Sequence, residues 1–198
     1  MKELLTKLKQ NKLLFTLTII MTISTILGIL FPAIISKDNK LLITTSIKKF
    51  MTAIDNNNIN YLTAFLSSIT NNSLITIILW ILGLSLIGVP IILLILFFKG
   101  FITGFSLSSI LITYGIKGLM KAFIYTLPNI INLLGTFLLS YYAISFSTLI
   151  YKSIFKKENR SWHPFIKRYT KIGIFFLGFA VFISIIESYL IPKILIFL

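Results

Sequence analysis

"LFFKGFITGF", residues 96–105, lies inside an apolar stretch from Ser73 to Ile116 in which Lys99 is the one charge. Drawn as one straight helix, that stretch would measure roughly 60 Å. The hydrocarbon core of a bilayer is only ~30 Å thick, so one uninterrupted helix is excluded. Lys99 beside Gly100 supplies a natural break, a charge that snorkels to an interface next to a flexible residue. This reading predicts a second span over about Leu74–Phe98, kinked in its middle by Pro90. A short third span follows over Phe101–Ile116.

The rest of the chain agrees with a membrane setting. Its 198 residues are 57% hydrophobic and only 12% charged, whereas apolar usage near half is the norm for soluble domains. Lipid is the solvent that accepts such a surface, and the length fits a single membrane domain, residues 1–198. Cysteine is absent, which excludes disulfides, thiolate metal sites and a cysteine nucleophile. Heavy use of Phe, Ile, Lys and Asn reads as the base composition of an AT-rich bacterial genome. The net charge of +14 could suggest nucleic acid. The basic residues, however, sit at the ends of apolar runs, with no aromatics interleaved in a polar segment. Membrane orientation and anionic lipid explain them, and no nucleic-acid partner is expected.

A first span covers about Leu13–Ile35 after Lys2, Lys7, Lys9 and Lys12. It is too long for the core of a signal peptide and no A-x-A-like site follows it, so a retained helix with a cytoplasmic N-terminus is expected. The segment 152–171 carries Lys152, Lys156, Lys157, Arg160, Lys167, Arg168 and Lys171 against Glu158. The positive-inside rule makes it a cytoplasmic basic loop. An even number of crossings must separate the two cytoplasmic segments, which requires the third run to cross and adds a fourth span at about 128–151. With a last span at about 172–190, the prediction is an all-α polytopic membrane helix bundle. It has about five transmembrane spans, N-in and C-out, with Lys117 and Lys121 on the outer side. Pro128 would open the fourth span, leaving Gly118–Leu127 as a short interfacial helix. Asn129 and Asn132 at its outer end could bond a neighbouring helix or face headgroups. The outer loop 36–72 shows helical spacing before and after "DNNN" at 55–58. Two amphipathic helices on the outer membrane face are expected there, as a partner platform or a lipid-covering lid.

Residues for chemistry are scarce. The single histidine, His163, has no carboxylate cluster around it, and no H-E-x-x-H pattern occurs. "GFSLS" at 104–108 lacks the final glycine of a nucleophile elbow. No catalytic residue, metal or cofactor is expected. Glu187, in "ISIIESYLIP", is the exception: an ionisable group inside an apolar run. Lys117, Lys121 or Lys193 could pair with it, or the helix could end near Tyr189, leaving Pro192 and Lys193 outside. Gly100, Gly104 and Ser108 form a small-xxx-small stripe, whose partner helix lies either in this chain or in a second copy. Gly83 and Gly88 flank the approach to Pro90.

"LWILGLSLIGVPIILLILFFKGFITGFSLSSIL" (79–111) resembles the core signature of the stage II sporulation protein M family. It shows a tryptophan-glycine run, an Ile-Gly-x-Pro turn and a Lys-Gly-x-x-x-Gly-Phe segment in that order. "GIKGLMKAFIYTLPNIINL" (115–133), "FIKRYT" (165–170) and "ESYLIP" (187–192) are similar to its later segments. "LPNIIN" departs from the Pro-Gln-Asn order expected there, at Asn129. The resemblance implies an integral membrane protein of the bacterial cell membrane, at the septum of the mother cell in a spore former. It implies a non-enzymatic scaffold that localises two exported peptidoglycan hydrolases, stage II sporulation proteins D and P, during engulfment. The alternative from the residues themselves is a transporter or channel component, motivated by Glu187 and the interrupted second and third segments.

Overall fold

The computed structural model describes residues 11–56, 60–156 and 162–196. The expectations resting on Lys2, Lys7, Lys9, Asn57, Asn58, Lys157, Glu158 and Arg160 lie outside the described residues. Helix α1 spans Lys12–Ile34, α2 Lys37–Asp55, α3 Tyr61–Leu82 and α4 Gly88–Tyr114. A 3-10 turn, Gly115–Gly118, leads into α5, Leu119–Lys156. Then come α6, Trp162–Ile185, a π-helical turn at Ile186–Leu190 and α7, Ile191–Ile196. Among the described residues there is no strand. Five segments are long and apolar enough to cross a membrane: α1, α3, α4, α5 and the run from α6 through α7. The fold class and span number agree with the sequence.

The break in the central apolar stretch does not. Lys99 and Gly100 lie in the interior of α4, and the chain turns instead at residues 83–87. One glycine inside a helix costs about 1 kcal/mol. Leaving backbone groups unbonded in hydrocarbon costs several kcal/mol each, so Gly100 alone cannot open the helix. At 83–87 three effects combine. Gly83 and Gly88 both weaken the helix, and Pro90 has no N–H for the carbonyl of Leu86. Pro90 therefore sits in the first turn of α4, where a missing donor is harmless, and it does not kink a span. Short bonds such as Leu84 N–H to Ile81 O (3.0 Å) and Gly88 N–H to Ser85 O (3.2 Å) tighten the corner. The predicted spans 74–98 and 101–116 are thus replaced by α3 and α4.

The other boundaries shift for the same reason. Residues 61–72, read as outer loop, form the first half of α3, opened by Asn60, whose Oδ1 accepts from Thr63 N–H at 3.2 Å. Pro128 does not start a helix; α5 runs through it, so Gly118–Leu127 is no separate element. Pro128 is fully buried among neighbouring helices, the setting in which a membrane helix tolerates proline. The basic "loop" is largely helix, the end of α5 and the start of α6, with Lys167, Arg168 and Lys171 on the first turns of α6. Pro192 is buried within α7 and does not lie outside the last helix. The spans are rich in threonine, whose hydroxyls donate to carbonyls one turn back, as in Thr18 to Leu14 O and Thr25 to Met21 O, both 2.8 Å. This satisfies the hydroxyl without water.

Packing aligns the helices in two sets. α1 packs most extensively on α4, α4 also on α5, and α3 on α6. The first pair is parallel: Ser24 meets Gly100, and Gly28 meets Phe101 and Phe105. A Cβ at Gly28 would overlap the Phe101 carbonyl, one at Gly104 the Thr25 carbonyl, and one at Gly100 the Ser24 side chain. The small-residue stripe thus finds its partner within the chain, as close backbone approach requires. A core of Leu17, Leu79, Ile92, Leu96, Leu139 and Phe176 fills the bundle on the side of the 83–87 turn. At the other end Met51 and Ile54 of α2 bury against Ile110, Ala122, Ile191 and Leu195. Half of the amphipathic segment is therefore docked on the bundle, and Asp55 pairs with Lys121 at 3.6 Å.

Backbone-facing glycines should be irreplaceable where open ones are not. Gly28→Val or Gly104→Leu should lose about 1–3 kcal/mol, the usual range for overpacking, read as a lower thermal unfolding midpoint in detergent. Gly178→Ala, where a Cβ meets nothing within 4 Å, should leave the midpoint unchanged or raise it.

Candidate functional site

The polar residues of the spans converge between α3, α5 and the π turn. Asn72 is 4% exposed, on the interior face of α3. Its Oδ1 accepts from Asn132 Nδ2 of α5 at 2.7 Å. Its Nδ2 donates to Ser184 Oγ of α6 at 3.1 Å and, more weakly, to Glu187 Oε2 at 3.4 Å. Ser68, one turn earlier on α3, donates to the same carboxylate oxygen at 2.6 Å. One asparagine thereby ties three spans together. In hydrocarbon such bonds are worth roughly 0.6–2 kcal/mol each.

Glu187 owes its position to the π turn. Ile191 N–H bonds Ile186 O, one residue wider than an α-helix, and Pro192 has no N–H to give to the Ser188 carbonyl. π turns of this kind are frequent at functional sites. The carboxylate is embedded, with helix continuing to Ile196 beyond it. Of the counter-charges expected for it, Lys121 is paired with Asp55, and the side chain of Lys117 lies outside the described residues. Lys193 is exposed on α7. Lys99 lines a cavity that adjoins the one Glu187 lines.

Lys99 lies about 16 Å along α4 from its first residue, at 1.5 Å per residue, deep in the span and not at an interface. It lines a cavity of about 280 Å³ with Asn71, Ile75, Thr103 and Asn129. A second cavity, of about 320 Å³, is lined by Ser67, Ser68, Glu187, Ser188 and again Asn71 and Asn129. The two adjoin at those amides, a positive group in one and a negative group in the other. The site therefore offers donors and acceptors of both signs within the membrane.

Of the predicted residues, the structure brings Lys99, Asn129 and Glu187 together, with Pro192 beside Glu187. Gly100 and Gly104 serve the α1–α4 contact. Gly83, Gly88 and Pro90 form the far turn, where Tyr169 Oη donates to Trp80 O at 2.7 Å and Ser147 Oγ to Ser85 O at 3.0 Å. Pro128 is packing only. Sequence reading missed Ser68, Asn71, Asn72 and Ser184. Asn72 and Thr76 fall on the face that Leu79 carries to the core. That i, i+4 pattern would have found them had α3 been extended to Tyr61.

The sequence profile of stage II sporulation protein M matches residues 17–192. The chain belongs to that family. It is accordingly a sporulation-related membrane protein, and the match spans α1 through the start of α7, including every residue of the polar centre. No curated protein and no solved structure matches the chain.

Asn72→Leu should leave Asn132 Nδ2 without its acceptor and take the amide donor from Ser184 and Glu187. A loss of roughly 1–3 kcal/mol is expected for buried groups left unpaired, measured as a drop in thermal midpoint of the detergent-solubilised protein. Asn71→Leu, on the exposed side of the same turn, should have little effect on that midpoint.

Proposed function

We propose that the protein is a non-enzymatic membrane scaffold that localises and holds exported peptidoglycan hydrolases for septal cell-wall remodelling during engulfment. The family membership carries the reading. The geometry supports it: a bundle cross-tied at Asn72 is a rigid base, and α2, docked through Met51 and Ile54, presents Lys40, Lys48 and Lys49 beside one end of it. Stage II sporulation proteins D and P are the partners this reading names, with membrane lipid around the bundle. Ser68 and Glu187 form a hydroxyl–carboxylate contact, but no relaying base stands between them as nucleophile activation by a triad would need, and we read the pair as structural. The protein resides in the bacterial cell membrane, at the septum in a spore-forming host.

The same reading sets the orientation. Lys12, Lys152, Lys167, Arg168 and Lys171 gather at the end of the bundle that holds Asn11, Tyr141 and the 83–87 turn, linked by the Asn11–Tyr141 bond of 2.9 Å. By the positive-inside rule that end is cytoplasmic, which gives N-in and C-out and places α2 outside. Lys171→Cys should react with an impermeant maleimide only from the cytoplasmic side and Lys49→Cys only from outside; the reverse pattern would invert the topology. Co-purification of the D and P proteins with the full chain from sporulating cells should persist in detergent. Normal engulfment in a deletion strain would defeat the scaffold reading.

One observation favours a second reading, a transporter or channel component: the adjoining cavities that hold Lys99 and Glu187. Solute or ion flux in proteoliposomes that vanishes with Glu187→Gln would select it; absence of flux with intact protein would discard it.

A further inference from the structure

α3 and α4 are joined by a five-residue turn, residues 83–87, yet they pack on different neighbours, α3 on α6 and α4 on α1 and α5. The space between them is the Lys99 cavity. It reaches the bundle surface: Phe98 is 58% and Ile102 55% exposed, Asn71 is exposed and Lys99 only half-buried. On a hydrocarbon-facing side of the bundle a half-buried lysine and an exposed amide are costly.

Among the described residues Lys99 has no carboxylate within 4 Å, and the one ion pair is Lys121–Asp55. Glu187 Oε2 is engaged by Ser68 and Asn72. A phospholipid phosphate sits at the edge of a ~30 Å hydrocarbon core, while Lys99 is about 16 Å into its helix. Among the described residues a second copy of the chain has no carboxylate to offer at this depth: Asp38 and Asp55 fall outside the five span segments, and Glu187 is already held.

We propose that the cleft between α3 and α4 receives a transmembrane helix of another protein, one that carries an aspartate or glutamate near its middle and pairs it with Lys99. Asn71 and Asn129 line the same cavity as Lys99 and supply amide donors to the same carboxylate. Phe98 and Ile102 provide the apolar wall for the incoming helix, a helix-in-groove arrangement whose specificity comes from one desolvated charge pair. The proposal rests on the scaffold reading, because it names the chemistry by which the scaffold would hold a partner within the membrane.

The test uses the full chain in nanodiscs with p-benzoylphenylalanine in place of Ile102. The probes are two synthetic leucine-rich transmembrane peptides, one with a single central aspartate and one without. Photo-crosslinking to the aspartate peptide should exceed that to the plain peptide at least tenfold. It should fall to the plain-peptide level in Lys99→Leu and Lys99→Gln, the second keeping a polar side chain where the first destabilises the fold. Equal cross-linking of both peptides, an unchanged yield in Lys99→Gln, or cross-links between two copies of the chain would overturn the proposal. These results, obtained with hydrolase co-purification intact, would remove the cleft as the docking site without touching the scaffold role.

Discussion

Hydrocarbon offers no hydrogen bonds, and that constraint organises this molecule. Every backbone group in the membrane must be satisfied within its own helix, which is why α4 runs unbroken through Lys99 and Gly100. It is also why the turn falls where glycines and a proline together make helix impossible. Threonine hydroxyls bond back to their own helices. The side chains that cannot do so, Asn72, Asn132 and Glu187, find one another, and Ser184, which also donates to Ala180 O, accepts from Asn72. The bundle is filled by apolar packing and held together across α3, α5 and α6 by this cluster.

The two sets of contacts divide the labour. Glycines at 28, 100 and 104 let α1 and α4 approach to backbone distance, a contact that depends on shape alone. The Asn72 cluster fixes rotation and register of α3, α5 and α6, because Asn72 has a single arrangement that satisfies both its oxygen and its nitrogen. α2 then closes one end through Met51 and Ile54. A frame specified in these two ways is suited to presenting a fixed surface to other proteins, which is what a scaffold requires.

Much of this was legible in the sequence, and the failures have definite causes. Composition and the basic clusters settled the membrane class, and parity of charge settled five crossings. Parity is insensitive to where a turn falls, so the number survived although the turn was placed some fifteen residues late. Lys99 drew the break because a lone charge usually marks an interface; here it marks an interior. Apolar residues at helical spacing after "DNNN" read as an outer amphipathic helix, whereas Ser67, Ser68, Asn71 and Asn72 beside them are the polar lining of a span. Glu187 was legible as an anomaly, but its partners come from α3, more than a hundred residues earlier, a separation that no local pattern encodes. The resemblance carried in 79–111 was legible directly, and the family match extends it to residues 17–192.

The depth of the α4 midpoint separates this arrangement from a hinge at Lys99. Spin labels at Phe98→Cys and Ser85→Cys, both exposed positions, would report it in liposomes through collision with oxygen and with a water-soluble nickel chelate. The structure predicts that the label at 98 favours oxygen strongly, as a site near the bilayer centre does, while the label at 85 favours nickel. Nickel access at 98 equal to that at 85 would place Lys99 at the membrane surface and contradict the account.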